Sequence, residues 1–278
     1  MLDIINSPIG ERVFVAAHRG RFGGCIPENT LAAFDVALYG GADIIETDIT
    51  KLADGEFVLF HDLRVDRITA GKGPAEKYTY QELHQFELKN SIGEPTIFRV
   101  NTLDEMLAHL KGKCLINLDR CWGYLDEVFE HVVAHGMENQ ILLKNHVTCK
   151  EDIHWMKRTG YRPVYIPIIQ KESEINALYE LLPEIDVKII EIFIEKEDTR
   201  LLSKEFVEDM HRRGIKIWVN ALDLGNNMSI NGNRGDNKSL LENPAEGWGW
   251  YVEKGVDIIQ TDWVTELAAY LEMIGKRQ

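Results

Sequence analysis

Four short stretches hold residues whose types and spacing could do chemistry. His18-Arg19 follows the apolar run VFVAA, and His61-Asp62 follows FVLF. GADIIETD, at 41–48, places Glu46 and Asp48 two residues apart, and INLDR brings up Asp119 and Arg120. Two histidines can divide acid–base work, one taking a proton from a nucleophile and the other protonating a departing alkoxide. Residues two apart in a strand share a face, so Ile44, Glu46 and Asp48 point one way while Ile45 and Thr47 point the other. Two carboxylates crowded at a strand end repel each other and lose hydration, and a divalent cation compensates both effects. Asp119 falls at the same height by the same logic. Three carboxylates without His or Cys make a hard-oxygen site for one divalent cation, Mg²⁺ or Ca²⁺ or alternatively Mn²⁺, rather than zinc. The bland alternative is that Glu46 and Asp48 pair with Arg19 or Arg120. The planar fork of Arg19 suits two phosphoryl oxygens.

These residues need strands to present them. Short β-branched runs recur at 13–17, 43–47, 114–118, 140–143, 162–166, 188–194, 216–219 and 257–261, separated by amphipathic stretches such as 30–39, 103–110, 125–135 and 204–213. Thr30 and Ser203 are expected to cap two of these helices. Strand–helix alternation implies parallel strands with right-handed crossovers. Eight such units in 278 residues predict an α/β fold, a (β/α)₈ TIM barrel forming one domain over 1–278. An open doubly wound sheet competes, but no Gly-x-Gly-x-x-Gly follows the first strand. Two stretches exceed a minimal barrel: a small insertion after the second strand, about 62–101, and a long polar loop after the seventh, 221–247. Long βα loops lie on the face where barrel sites are built. The Asn and Gly content of 221–247 suggests a mobile roof. GADIIETD has an echo in GVDIIQTD at 255–262, where Gln260 replaces Glu46. One structural unit is used twice, and only the first copy offers two charges to an ion.

The net charge of −14 argues against non-specific binding to nucleic acid or anionic membrane and leaves an anionic small-molecule substrate open where a bound cation reverses the sign locally. No integral membrane segment is expected, and oligomeric state is not readable. Cys25, Cys114, Cys121 and Cys149 lack paired or zinc spacing and are expected to be reduced thiols. Without a basic n-region and apolar run at the start, the expected location is the cytoplasm, or outside the cell had a signal peptide been removed.

In order and spacing, AHRG, PENT, GADIIETDI and DGEFVLFHD (17–62), with DRITAGKG (66–73), NTLDEML (101–107) and GVDIIQTD, resemble the glycerophosphodiester phosphodiesterase family. The resemblance implies a (β/α)₈ barrel that hydrolyses glycerophosphodiesters to glycerol 3-phosphate and an alcohol with a divalent metal. It implies His18 and His61 as the acid–base pair, Arg19 as phosphate ligand, and Glu46 and Asp48 as metal ligands. His18 is taken as base and His61 as acid.

The departure lies at the third strand, where the family pattern Glu-x-Lys is replaced by Asp119-Arg120-Cys121. Asp119 takes the third ligand's place, one methylene short. Cys121 stands where the Lys would be, and strand parity turns Arg120 to the other face unless the chain leaves the strand at Asp119. Lys144 is a second candidate for the missing charge. Trp218 is a candidate substrate contact set against core packing, and Trp248 and Trp250 are weighed in the same way. His131 and His135, at i and i+4, lack the Glu of H-E-x-x-H and read as a solvated helix face. A lysophospholipase D or sphingomyelinase D-like phosphodiesterase remains an alternative, as does a non-catalytic barrel that binds a phosphorylated ligand.

Overall fold

Short runs of β-branched residues bounded by Gly, Asp and Lys form strands wherever the sequence suggests them. In a computed structural model, which describes residues 4–225 and 229–277, they are β1 (Phe14–His18), β2 (Ile44–Lys51), β3 (Phe57–Leu59), β4 (Leu115–Asp119), β5 (Ile141–His146), β6 (Val164–Ile169), β7 (Ile189–Ile192), β8 (Lys216–Asn220) and β9 (Ile258–Thr261). Eight are the parallel strands of a (β/α)₈ barrel, and β3 is an antiparallel addition to β2. Both echoed segments are strands, β2 and β9. Among the described residues, no helix is long and apolar enough to cross a membrane.

By internal contacts the chain divides into two compact units, one of 17–40 with 44–141, the other the rest of the described chain. In the first, β2 lies between β3 and β4. Thr30 caps the helix Leu31–Tyr39 by accepting from Ala33 N, and that helix buries Ala33, Phe34 and Ala37. Thr102 and Glu105 form a capping box at the start of Leu103–Leu110. The insertion after β2 is a packed annex rather than an open loop. Val58, Phe60, Val65, Leu83, Leu88 and Val100 form its core, and a Thr79–Glu82 capping box starts its helix Tyr80–His84. This annex fixes the end of β3, and with it His61.

In the second unit β5, β6, β7, β8 and β9 follow one another in parallel. Ser203 caps Lys204–Arg212 through Phe206 N. The polar stretch after β8 departs from the mobile roof expected of its composition, although residues 226–228 lie outside the described chain. It carries a short helix, Asp236–Leu241, whose first residue is buried. Asp236 Oδ1 accepts from Trp248 Nε1 (2.8 Å) and Thr261 Oγ1 (2.7 Å), and Oδ2 accepts from Asp262 N (3.1 Å). Gly235 is required by close approach: a Cβ there would collide with the Asn231 side chain and the Ala221 carbonyl. Trp248, 1% exposed, belongs to this packing rather than to an open surface.

Candidate metal and phosphate site

In the first unit, register places the acids. Glu46 stands opposite Asn117 and Asp48 opposite Asp119 across β2 and β4. Glu46 and Asp48 are each 2% exposed and Asp119 is half-buried. Oxygen atoms of all three lie within 4.8 Å of one another.

Each carboxylate is held by a residue with left-handed backbone. Arg19 (φ 55°) donates its N–H to Glu46 Oε2 at 3.0 Å. Asn29 (φ 54°) donates Nδ2 to Asp48 Oδ2 at 2.9 Å, while its Oδ1 accepts from Thr47 Oγ1 at 2.8 Å. Arg120 (φ 61°) donates its N–H to Asp119 Oδ1 at 2.7 Å. That conformation costs a non-glycine residue about 1–2 kcal/mol, and such strain collects where geometry serves function. Gly20, next to Arg19, has φ 80° and no room for a Cβ, which would sit 2.8 Å from the Ala33 carbonyl carbon.

Charge is arranged in a chain around the acids. The Arg19 guanidinium pairs with Glu28 (2.9 Å) and Asp48 (3.2 Å). Burial opposes its charge, but the fields of Asp48, Glu28 and Glu46 prevail and raise its pKa. Arg67 binds Glu28 and Asp62 together, and its pKa is raised by the hydrogen bonds to Glu28. Burial would raise the Asp62 pKa, but hydrogen bonds from His61 and Arg67 hold it well below the carboxylate range. His61 lies between Asp62, 2.7 Å from Nδ1, and Arg120 Nη1, 3.2 Å from Nε2. A guanidinium has no acceptor, so this contact requires a lone pair on Nε2 and puts the ring proton on Nδ1.

The parity that turned Arg120 away from the site fails because β4 ends at Asp119. The left-handed turn then swings Arg120 to His61, so a cation stands beside that histidine although Cys121, fully buried, replaces the expected Lys. Arg19 does contact Glu46 and Asp48, as the bland alternative required. Its one charge is nevertheless shared with Glu28, while three carboxylates converge. An excess of buried negative charge on oxygen donors fits a hard divalent cation.

Lys144 and Trp218 meet each other in the second unit. Lys144 Nζ lies 3.2 Å from both Glu191 Oε1 and Gln260 Oε1 and 4.6 Å from the Trp218 ring centroid. Lys144 is 3% exposed and Trp218 fully buried. Its charge is therefore already met by Glu191. His131 and His135 both contact Asp104 Oδ1, at 2.8 and 3.0 Å, on a part-exposed face that also meets the neighbouring helix. All four cysteines are free.

A cavity of about 520 Å³ in the first unit is lined in part by Asp62 and Arg120. Another, of about 490 Å³, lies in the second unit among Ile5, Met156, Tyr165 and Lys188 and holds none of the motif residues.

Residues 18–265 match the glycerophosphoryl diester phosphodiesterase family. The chain belongs to that family. It is 34% identical over 140 residues to a glycerophosphodiester phosphodiesterase of Bacillus altitudinis, a match covering 47% of this chain and 57% of that one. Against human glycerophosphodiester phosphodiesterase 1 it is 32% identical over 158 residues, 54% of this chain and 46% of the relative. The chain thus spans about half the length of the curated relatives it matches. A crystal structure of a glycerophosphoryl diester phosphodiesterase from Parabacteroides distasonis shares the fold, with TM-score 0.79 at 21% identity over 98% of this chain and 91% of that one. An Oleispira antarctica phosphodiesterase in complex with the product sn-glycerol-3-phosphate gives TM-score 0.67, 21% identity, and coverage of 94% and 97%.

Glu28, Asn29, Arg67 and Asp62 received no role from the sequence, and Arg120 only a conditional one. Four of them stand inside PENT, DRITAGKG and the HD pair, so the family motifs marked the stretch without saying what each residue holds. Arg120 lies where the family pattern breaks, and only the left-handed turn after β4 reveals it.

Proposed function

We propose that this protein is a cation-dependent phosphoric diester hydrolase that converts glycerophosphodiesters to glycerol 3-phosphate and an alcohol. The observation that carries this reading is the convergence of Glu46, Asp48 and Asp119 within 4.8 Å, in the unit where His61 is clamped between Asp62 and Arg120. Family membership supports it, as does the product bound to the Oleispira relative.

Glu46, Asp48 and Asp119 would hold the cation. When bound, it supplies Lewis-acid stabilisation of charge on the phosphoryl oxygens. Arg19, kept charged by its acidic neighbours, turns remaining N–H donors toward a non-bridging oxygen. His61 carries its proton on Nδ1 against Asp62, and its Nε2 lone pair is ready to take a proton from water or a substrate hydroxyl. His18 then protonates the leaving oxygen, an order opposite to the one expected from sequence. Arg120 hands its N–H to the developing negative charge as Nε2 takes up its proton. No step is assigned to Lys144 or Trp218, which are buried against each other and against Glu191 and Gln260 in the second unit.

The test is an assay on glycerophosphocholine and bis(p-nitrophenyl) phosphate with Mg²⁺, Ca²⁺ or Mn²⁺, and a chelator as control. Chelator-sensitive release of product is expected. No product under any of the three cations would return the protein to the binding-only alternative.

A further inference from the structure

The cavity beside His61 has a wall unlike the rest of the site. Besides Asp62 and Arg120, it is built from Ile49, Leu63, Pro74, Ala75, Trp122 and Tyr124. Leu63 is 78% exposed, Trp122 42% and Tyr124 38%, so large apolar surface lines a groove that shares two residues with the proposed proton-transfer apparatus. Of its charged groups, only Glu76 is weakly held, 3.7 Å from the exposed Lys77, and it stands at the groove's solvent side. Lys51 pairs with Glu127 and lies 5.3 Å from the Tyr124 ring centroid, Arg64 pairs with Asp66 at 3.3 Å, and Asp62 is held by His61 and Arg67.

We propose that this groove is the subsite for the non-glycerol arm of the phosphodiester and that it selects an alcohol with an apolar body, such as an n-alkanol. This rests on the phosphodiesterase reading above. Continuity through Asp62 and Arg120 leads an ester arm from the phosphorus into the groove. Engaged charges leave little for the hydroxyls of glycerol, which therefore do not belong there. A choline or ethanolamine cation would meet three cations, Lys51, Arg64 and Arg120, against two carboxylates, Asp62 and Glu76, of which Asp62 is already paired with Arg67, and would find the Tyr124 ring already facing Lys51.

The experiment measures kcat/KM for glycerol 3-phosphate release from glycerophospho-n-alkanols of two, four, six and eight carbons, below their micellar range, with glycerophosphocholine alongside. A fully buried methylene is worth about fourfold, so partial burial of six more predicts an octyl-to-ethyl ratio of at least about tenfold. Glycerophosphocholine should fall below the octyl ester. Leu63→Ser, at an exposed position that folding tolerates, and Trp122→Ala should each lower the octyl-to-ethyl ratio. A flat series in the wild-type protein, or a ratio that neither variant moves, overturns the subsite while leaving the hydrolase reading intact. No turnover of any ester with any cation withdraws both.

Discussion

Arg19, Asn29 and Arg120 each adopt a backbone conformation that L-residues avoid, and each spends a hydrogen bond on a different carboxylate of one cluster. Asn29 is the best place to separate that bond from its backbone, because Asn and Asp both tolerate left-handed φ. Asn29→Asp keeps the turn but replaces the Nδ2 donor with a charge facing Asp48. Outer groups of this kind typically tune metal affinity by about 10–100-fold, and a loss of that size is expected in calorimetric titration with Mg²⁺ or Mn²⁺. Unchanged affinity would mean that Asn29 serves only the turn. The histidines belong to the same scale. His18→Ala and His61→Ala should each reduce turnover by about 10²–10⁴-fold in single-turnover assays, and near-wild-type rates in both would end the acid–base mechanism. Glu46→Gln rewrites the first echoed segment toward the second, and its cation-dependent rate should vanish. The sequence already hinted at this: Gln260, the natural Gln of the echo, accepts from Lys144 instead of joining an acidic cluster. What it left conditional was Arg120, because strand parity holds only while the strand continues and the end of β4 at Asp119 was not fixed by the residues alone.

At the scale of elements, periodicity located the strands well, while the stretch after β8 was misjudged in texture and the insertion after β2 was bounded without its packing being foreseen. Their Gly, Asn and Thr residues read as loop chemistry, yet many of them cap helices or permit close packing, and composition does not distinguish a packed turn from an open one. Asp236 shows what such packing entails. Burial pushes its pKa up to about 7, against the hydrogen bonds from Thr261 and Trp248 that favour the charged form. In the unfolded chain the same group titrates near pH ~4. The folded state therefore keeps the proton longer. The associated stability is full below the unfolded pKa and is lost as pH rises through about 7. The loss is on the order of 4 kcal/mol for one group. Thermal unfolding between pH 4 and 8 should show this slope in the wild-type chain and a shallower one in Asp236→Asn, where nothing titrates. Parallel slopes in the two proteins would assign the pH dependence elsewhere.

For the whole molecule, the barrel was legible because its β2 and β9 repeat a phrase and because eight apolar runs alternate with amphipathic ones, a pattern few folds share. Net charge was legible too, and it bears on stability. A chain at −14 that gathers three of its carboxylates within 4.8 Å stores repulsion that only the folded state suffers. A bound divalent cation relieves it and binds the native state alone, so occupancy should appear as stability. At one hundred times Kd the gain is about 2.7 kcal/mol, or a rise in Tm of roughly 5–10 °C. Scanning calorimetry with Mg²⁺, Ca²⁺ or Mn²⁺ should show that rise, and a chelator should reverse it. Glu46→Gln and Asp119→Asn should lose the cation-dependent rise, and without cation they should be no less stable than wild type, since each removes one of the repelling charges. General screening of the −14 net charge would also stabilise the fold, but sodium chloride of equal ionic strength would then reproduce the effect. A divalent rise that survives in both variants, or that sodium chloride matches, places the cation's influence on the acidic surface instead of at Glu46, Asp48 and Asp119.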